Sequence, residues 1–197
     1  MNQNKQIIKT GSFKPIPGRI LILGSRATLK SLKRGMFYTS TLPNTGNLIW
    51  QILDYSLFDG EPRFCNLVTE YISCFDTLGA SDKKTTKLKD DIVALLNATG
   101  IGLSDVIVEC ESKTSLDNDI HNAVINPDIE ELVADSEIVI LNGSKAYSEF
   151  NKLMRKGVIS SKTNYVQASS TSMMSGKYVQ PPEKRKEEWK KIIDKYK

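Results

Sequence analysis

Four short apolar runs punctuate the chain: Ile20-Leu21-Ile22-Leu23, Val106-Ile107-Val108, Ile138-Val139-Ile140-Leu141, and Tyr165-Val166 leading to Ala168. Continuous apolar runs of this length, closed by small or polar residues, mark strands covered on both faces. They predict strands over residues 19–23, 103–108, 138–141 and 165–168. Between them the period becomes helical. A helix is expected from 48 to about 58, with Asn47 able to cap it. Helical spacing continues over 61–75, interrupted by Gly60, Pro62 and Gly79. Ile92, Leu95 and Leu96 share one face of a helix over 90–98, which Gly100 and Gly102 end. Residues 81–89 read as polar, solvent-facing chain. Further helices are predicted over 128–135, 145–156 and 182–196; the last carries Trp189, Ile192, Ile193 and Tyr196 on one face and Lys and Arg on the other. That basic face reads as solvated surface. Residues 1–18 form an extended leader held straight by Pro15 and Pro17.

Strand and helix alternate throughout, which predicts one three-layer α/β/α domain over residues 1–197, with a central, mainly parallel four-stranded sheet. The long polar connection between 109 and 129 exceeds what a simple link needs, and such loops often carry function. Three loops should meet at one edge of the sheet: those after Leu23, Leu141 and Ala168. Ligands of open α/β sheets sit at that edge.

The first of these loops holds the densest chemistry. Gly24-Ser25 offers a backbone floor, Phe37 and Tyr38 an aromatic face, Asn44 and Asn47 amide side chains, and Lys30, Lys33 and Arg34 positive charge. Such a set suits a flat polar ring attached to an anion, and a nucleobase on DNA fits that description. Neither G-x-x-x-x-G-K-[ST] nor G-x-G-x-x-G occurs, so nucleoside triphosphate and dinucleotide cofactors lose their usual signature.

Composition changes this picture little. The chain has 197 residues, 40% of them apolar and 25% charged, with a net charge of +4. This is an ordinary globular composition that permits a polyanionic partner without requiring one. Cys65, Cys74 and Cys110 are scattered and odd in number, which argues against a disulfide framework or a zinc site and for reduced thiols in a cytoplasmic protein. No metal site, membrane span or signal peptide is expected.

Five segments in order carry a resemblance: ILGS, then FY with N-x-x-W, then GIGLSDVIVECESKTSLDNDI, then IVILNGSKAY, then SSTS before the basic C-terminal helix. Together they resemble the uracil-DNA glycosylase superfamily. The nearest branch is the hypoxanthine-DNA (deoxyinosine) glycosylases, relatives of the mismatch-specific uracil glycosylases. The resemblance runs from Ile20 to about Tyr196, and its middle block is the most specific part. It implies a cofactor-free, monofunctional enzyme, expected to be a monomer. Such an enzyme flips a deaminated base out of DNA and hydrolyses its N-glycosidic bond. Hypoxanthine is the first choice of base, with uracil or xanthine next.

The resemblance assigns the catalytic amide to Asn47, in Asn47-Leu48-Ile49-Trp50, with Asn44 a competing position. Gly24 and Ser25 would offer backbone N–H groups to the base. Tyr38 would stack on it while Phe37 packs in the core, and Asn142 would read a base edge. Ser170, Thr171, Ser172 and Lys177 would hold DNA, with Met173 or Met174 as a wedge into the base stack. Asp105 and Asp117 are candidates for ordering the loops. His121, the only histidine, reads as a surface residue, and the last loop lacks the His of the uracil-specific branches. The chain departs from the branch where Arg26-Ala27-Thr28 replaces a Pro-Gly and where Met173-Met174-Ser175 follows Ser172. These departures leave room for a second reading, a DNA-binding protein of the same fold without catalysis.

Overall fold

The structure, a computed structural model, describes residues 6–9, 14–43, 45–112, 120–173 and 180–197. In chain order the elements begin with β1 (Gln6–Lys9), β2 (Ile20–Gly24), α1 (Leu29–Arg34), α2 (Ile49–Leu57) and α3 (Arg63–Leu78). Next come α4 (Lys83–Thr99), β3 (Ile101–Asp105), β4 (Ile107–Ser112), β5 (His121–Ile125) and α5 (Ile129–Ala134). The chain ends with β6 (Ile138–Asn142), α6 (Ser144–Arg155), β7 (Tyr165–Ala168) and α7 (Pro182–Ile193).

The central sheet has the order β3-β2-β6-β7, and every neighbouring pair is parallel. β2 lies inside it, with Ile20 opposite Ile101 on one side and Ile138 on the other. Side chains alternate across a strand, and β2 uses both faces. Ile20 and Ile22 point into a core with α2, α3, α4 and α7, while Leu21 and Leu23 point into a second core with α5 and α6. All four are fully buried, which is why the strand reads as an unbroken apolar run. The expected three-layer α/β fold with a parallel four-stranded sheet is the fold observed.

Five local expectations are corrected. The segment 103–108 is not one strand: β3 ends at Asp105, and after Val106 the chain leaves for a second sheet with the antiparallel order β1-β4-β5. The N–H groups of Val106 and Ile107 donate to the Gly24 and Ser25 carbonyls (both 3.0 Å), so this sheet grows from the carboxyl edge of the first. β5 lies within the stretch read as a long polar connection, and β1 within the leader. Residues 81–89 are mostly helix. Asp82 caps α4 by accepting from the N–H groups of Lys84 (2.8 Å) and Thr85 (3.2 Å), and Thr85 and Leu88 are buried. Finally, Arg185 on α7 is buried rather than solvated. No helix among the described residues is long and apolar enough to cross a membrane.

Candidate functional site

β2 is followed in the sheet by β3 on one side and β6 on the other, so the strand order reverses at its carboxyl end. That is the crevice where open α/β sheets bind ligands. The strands present Gly24, Asp105 and Asn142 there. Asp105 faces Gly24 in the register and is 5% exposed. A Cβ on Gly24 would collide with Asp105 Oδ1 and lie 2.9 Å from Tyr38 Oη. Glycine is required here by close approach of two polar side chains, not by a turn.

Tyr38 reaches this point on a loop held from the core. Its backbone is left-handed (φ 53°), a conformation that a non-glycine residue keeps only when its surroundings impose it. The Tyr38 carbonyl accepts from Trp50 Nε1 (3.1 Å). The next carbonyl, of Thr39, accepts from Arg34 Nη1, and the Arg34 carbonyl accepts from the Tyr71 hydroxyl. Arg34 also forms a two-pronged pair with Asp76 (3.1 and 2.5 Å). Phe37 is buried in the core, as expected.

Asn142 ties the loop to the rest of the site. Its Nδ2 donates to Tyr38 Oη (3.2 Å) and to Thr171 Oγ1 (2.9 Å), and its Oδ1 accepts from the Thr171 N–H (2.9 Å). Burial raises the pKa of the Tyr38 phenol well above the ordinary tyrosine value. The negative charge of Asp105 adds to this, and the Asn142 hydrogen bond offsets part of it. Tyr38 therefore stays a protonated hydroxyl.

The segment around Asn47 pairs with the loop after β7. Asn47 bridges Ser172 in antiparallel fashion; the Leu48 N–H donates to the Thr171 carbonyl (2.7 Å) and the Met173 N–H to the Gly46 carbonyl (3.0 Å). Asn47 Oδ1 accepts from the N–H of Ile49 (2.9 Å), the first residue of α2. The N–H groups of Thr171, Ser172 and Met173 are thus all engaged within the protein, that of Ser172 by Ser170 Oγ (3.3 Å). A phosphate approaching them meets the serine hydroxyls rather than these amides. Ser170 is exposed, Thr171 fully buried, and Met173 38% exposed.

α7 holds this loop from below. Arg185 Nη1 donates to the carbonyls of Ser170 (2.8 Å) and Ser172 (2.7 Å), and Trp189 Nε1 donates to that of Ser169 (2.9 Å). Glu188 accepts from the Ser169 N–H (2.9 Å). Burial lowers the Arg185 pKa, opposed by Glu183.

The structure thus brings together Gly24, Tyr38, Asn47, Asn142, Thr171 and Ser172. Ser25 follows Gly24 at the same edge, and Ser170 precedes Thr171. Lys177, Met174, Asn44 and Asp117 lie outside the described residues. His121 is exposed on β5. Among the described residues no group of three or more His, Cys, Asp or Glu side chains is placed to hold a metal ion. Burial and the neighbouring Asp54 push the Cys65 thiol far above its ordinary pKa, which makes it a poor nucleophile. Sequence reasoning named Arg34 only as a positive charge of the first loop, not as its clamp, and missed Arg185. The only signal for Arg185 was its place four residues before Trp189, on the buried face of the same helix.

No protein-family model matches this sequence, and no curated protein matches it. Among solved structures, the chain is similar to the solution NMR structure of a Methanosarcina acetivorans protein described as a candidate uracil DNA glycosylase. The two are 22% identical, with a TM-score of 0.60 over 95% of this chain and 97% of the other. The fold of this chain is the fold of that protein.

Proposed function

We propose that this protein is a monofunctional DNA glycosylase that removes a deaminated base, hypoxanthine by preference, by flipping it into the crevice at the carboxyl end of β2. The observation that carries the reading is the backbone pairing of residues 46–48 with 171–173. It sets the amide named by the N-x-x-W pattern directly beside the serine-rich loop named for DNA. A base within a duplex cannot be reached, so it must be extruded before chemistry.

In this reading the base rests against Tyr38, and the bond from its nitrogen to sugar C1′ breaks with oxocarbenium character. The electron pair of that bond leaves with the base, and the Tyr38 hydroxyl, oriented by Asn142, meets the developing negative charge. Asn47 orients a water toward C1′. Its carbonyl oxygen has two lone pairs, so it can accept from Ile49 and from a water together. The water's oxygen bonds to C1′ and loses a proton to solvent, and the departed base anion takes up a proton from solvent, leaving an abasic sugar and the neutral free base. Every group invoked lies on one chain, so a monomer suffices. No lysine is assigned as a Schiff-base nucleophile, so strand cleavage is not part of the reaction.

The test is base release from single- and double-stranded oligonucleotides carrying one deoxyinosine, deoxyuridine or deoxyxanthosine. Asn47→Ala is expected to slow release by about 100-fold or more while DNA is still retained. Full activity in a folded Asn47→Ala protein would remove Asn47 from the mechanism. One observation favours the second reading, a DNA-binding protein without catalysis: Asn47 Oδ1 is already engaged by the Ile49 N–H at the start of α2, whose N-cap is Leu48. Salt-sensitive DNA retention with no release from any substrate would establish that reading instead.

A further inference from the structure

We infer that Thr171, held in place by Arg185, sets the direction of a hydrogen-bond chain through Asn142 to the Tyr38 hydroxyl, so that the pocket reads a carbonyl on the base. This rests on the glycosylase reading above and names what that site distinguishes.

The chain of reasoning begins with the one group that cannot reverse. A backbone N–H only donates, and the Thr171 N–H donates to Asn142 Oδ1 (2.9 Å). The amide of Asn142 is thereby fixed with its nitrogen on the other side. Both protons of that nitrogen are used, one toward Thr171 Oγ1 (2.9 Å) and one toward Tyr38 Oη (3.2 Å). Tyr38 Oη is an acceptor at this contact, so its own proton is turned away from Asn142, and in this inference it donates to the base rather than to Asp105 across Gly24. Burial and the nearby Asp105 both keep that proton on the phenol. The outer end of the chain is therefore a donor. A deaminated base differs from its parent by a ring carbonyl in place of an exocyclic amine. A donor at the pocket end of the chain meets the carbonyl and opposes the amine.

The direction persists only if Thr171 cannot rotate. Its flanking carbonyls, of Ser170 and Ser172, are both bound by the same nitrogen of Arg185, and its own carbonyl accepts from the Leu48 N–H (2.7 Å). Thr171 is fully buried and Arg185 is 3% exposed, so the surrounding protein holds both in place. Neither residue need touch the base: both are positioning residues.

The experiment compares oligonucleotides carrying deoxyinosine with the same oligonucleotides carrying deoxynebularine, a purine without the 6-oxygen. Single-turnover release and binding are measured for wild type, Asn142→Asp, Arg185→Met and Arg185→Lys, with affinity for an abasic-site analogue alongside. Wild type should prefer deoxyinosine by about tenfold to about 100-fold, the range of one hydrogen bond to a buried acceptor. Asn142→Asp should abolish the preference, because a carboxylate accepts from Thr171 and from Tyr38 alike and reverses the end of the chain. Arg185→Met should reduce the preference, and Arg185→Lys should restore part of it, with affinity for the abasic analogue unchanged in both. A deoxyinosine preference left intact in Asn142→Asp and Arg185→Met, with release continuing, overturns the inference and leaves the glycosylase reading standing. Should Arg185→Met fail to fold, Asn142→Asp decides alone. No release of any base by the wild type removes both.

Discussion

Two buried arginines hold the two loops that frame the crevice, and they do so differently. Arg34 fixes the loop of Tyr38 by donating to the Thr39 carbonyl, and its charge is met by the two-pronged Asp76 carboxylate. Arg185 fixes the loop of Thr171 by donating to two carbonyls, and no carboxylate of the described residues forms an ion pair with it. Arg34 is 6% exposed and Arg185 3%. A neutralised guanidinium is a structural clamp. One that binds carbonyls without a paired carboxylate orders its loop through hydrogen bonds, with Glu183 acting on its charge without forming a pair. The difference separates a loop held through an ion pair from a loop held through hydrogen bonds alone.

That contrast can be broken by exchanging the readouts. Arg34→Met should cost about 2–3 kcal/mol in urea unfolding, since it strands the Thr39 carbonyl and removes the Asp76 pair, whose acid is half exposed and so contributes modestly. Arg185→Met should cost about 1 kcal/mol, because the carbonyls it frees lie on or near the surface and water can take its place. Equal losses in the two variants would show that both arginines are structural clamps.

A smaller effect sharpens the account of the Tyr38 loop. Trp50→Phe keeps the ring in the core but removes the donor to the Tyr38 carbonyl, and should cost about 1 kcal/mol. Its release of deoxyinosine should fall further than this stability loss explains, because the left-handed residue loses a restraint. Unchanged release would show that Arg34 alone holds the loop.

The smallest effect is on alkaline stability. The Tyr38 pKa is raised in the folded protein, so the unfolded chain ionises first. Its contribution is intact below about pH 10, the unfolded tyrosine value, and is lost as pH rises above it. Tyr71, pushed up to about 12 by burial, acts on the same limb. Tyr38→Phe should therefore flatten, but not abolish, the fall in melting temperature between pH 9 and pH 11 (approximate working limits around the tyrosine range). An unaltered slope would mean that the phenol is not buried as described.

Much of the fold was legible in the chain. β2 and β6 appear as apolar runs because helices cover both faces of the sheet, and β7, at its edge, shows only Tyr165, Val166 and Ala168. The start of β3 was hidden because Gly100 and Gly102 read as helix terminators, although Gly100 ends α4 and Gly102 already lies in the strand. β5 was hidden because His121 to Val124 are exposed, so no apolar alternation marks it. The first turns of α4 were hidden because the residue that packs there, Thr85, is polar. In the site, Tyr38, Asn47 and Asn142 were named from short patterns, and the structure places them together. Arg185 was not named, and Arg34 was named only as a charge, since a lysine- and arginine-rich stretch ordinarily means solvated surface.

The sequence by itself determined the class of fold, the order of its parallel strands and helices, and the loops that gather at one edge. These follow from burial, which acts through the local period of apolar residues. Only the tertiary structure decided that Thr171 fixes Asn142, that Asn142 reaches Tyr38 across 104 positions of chain, and that Arg185 turns inward. A hydrogen bond depends on two groups meeting within about 3 Å at a suitable angle, and no periodicity along the chain encodes a meeting between residues so far apart.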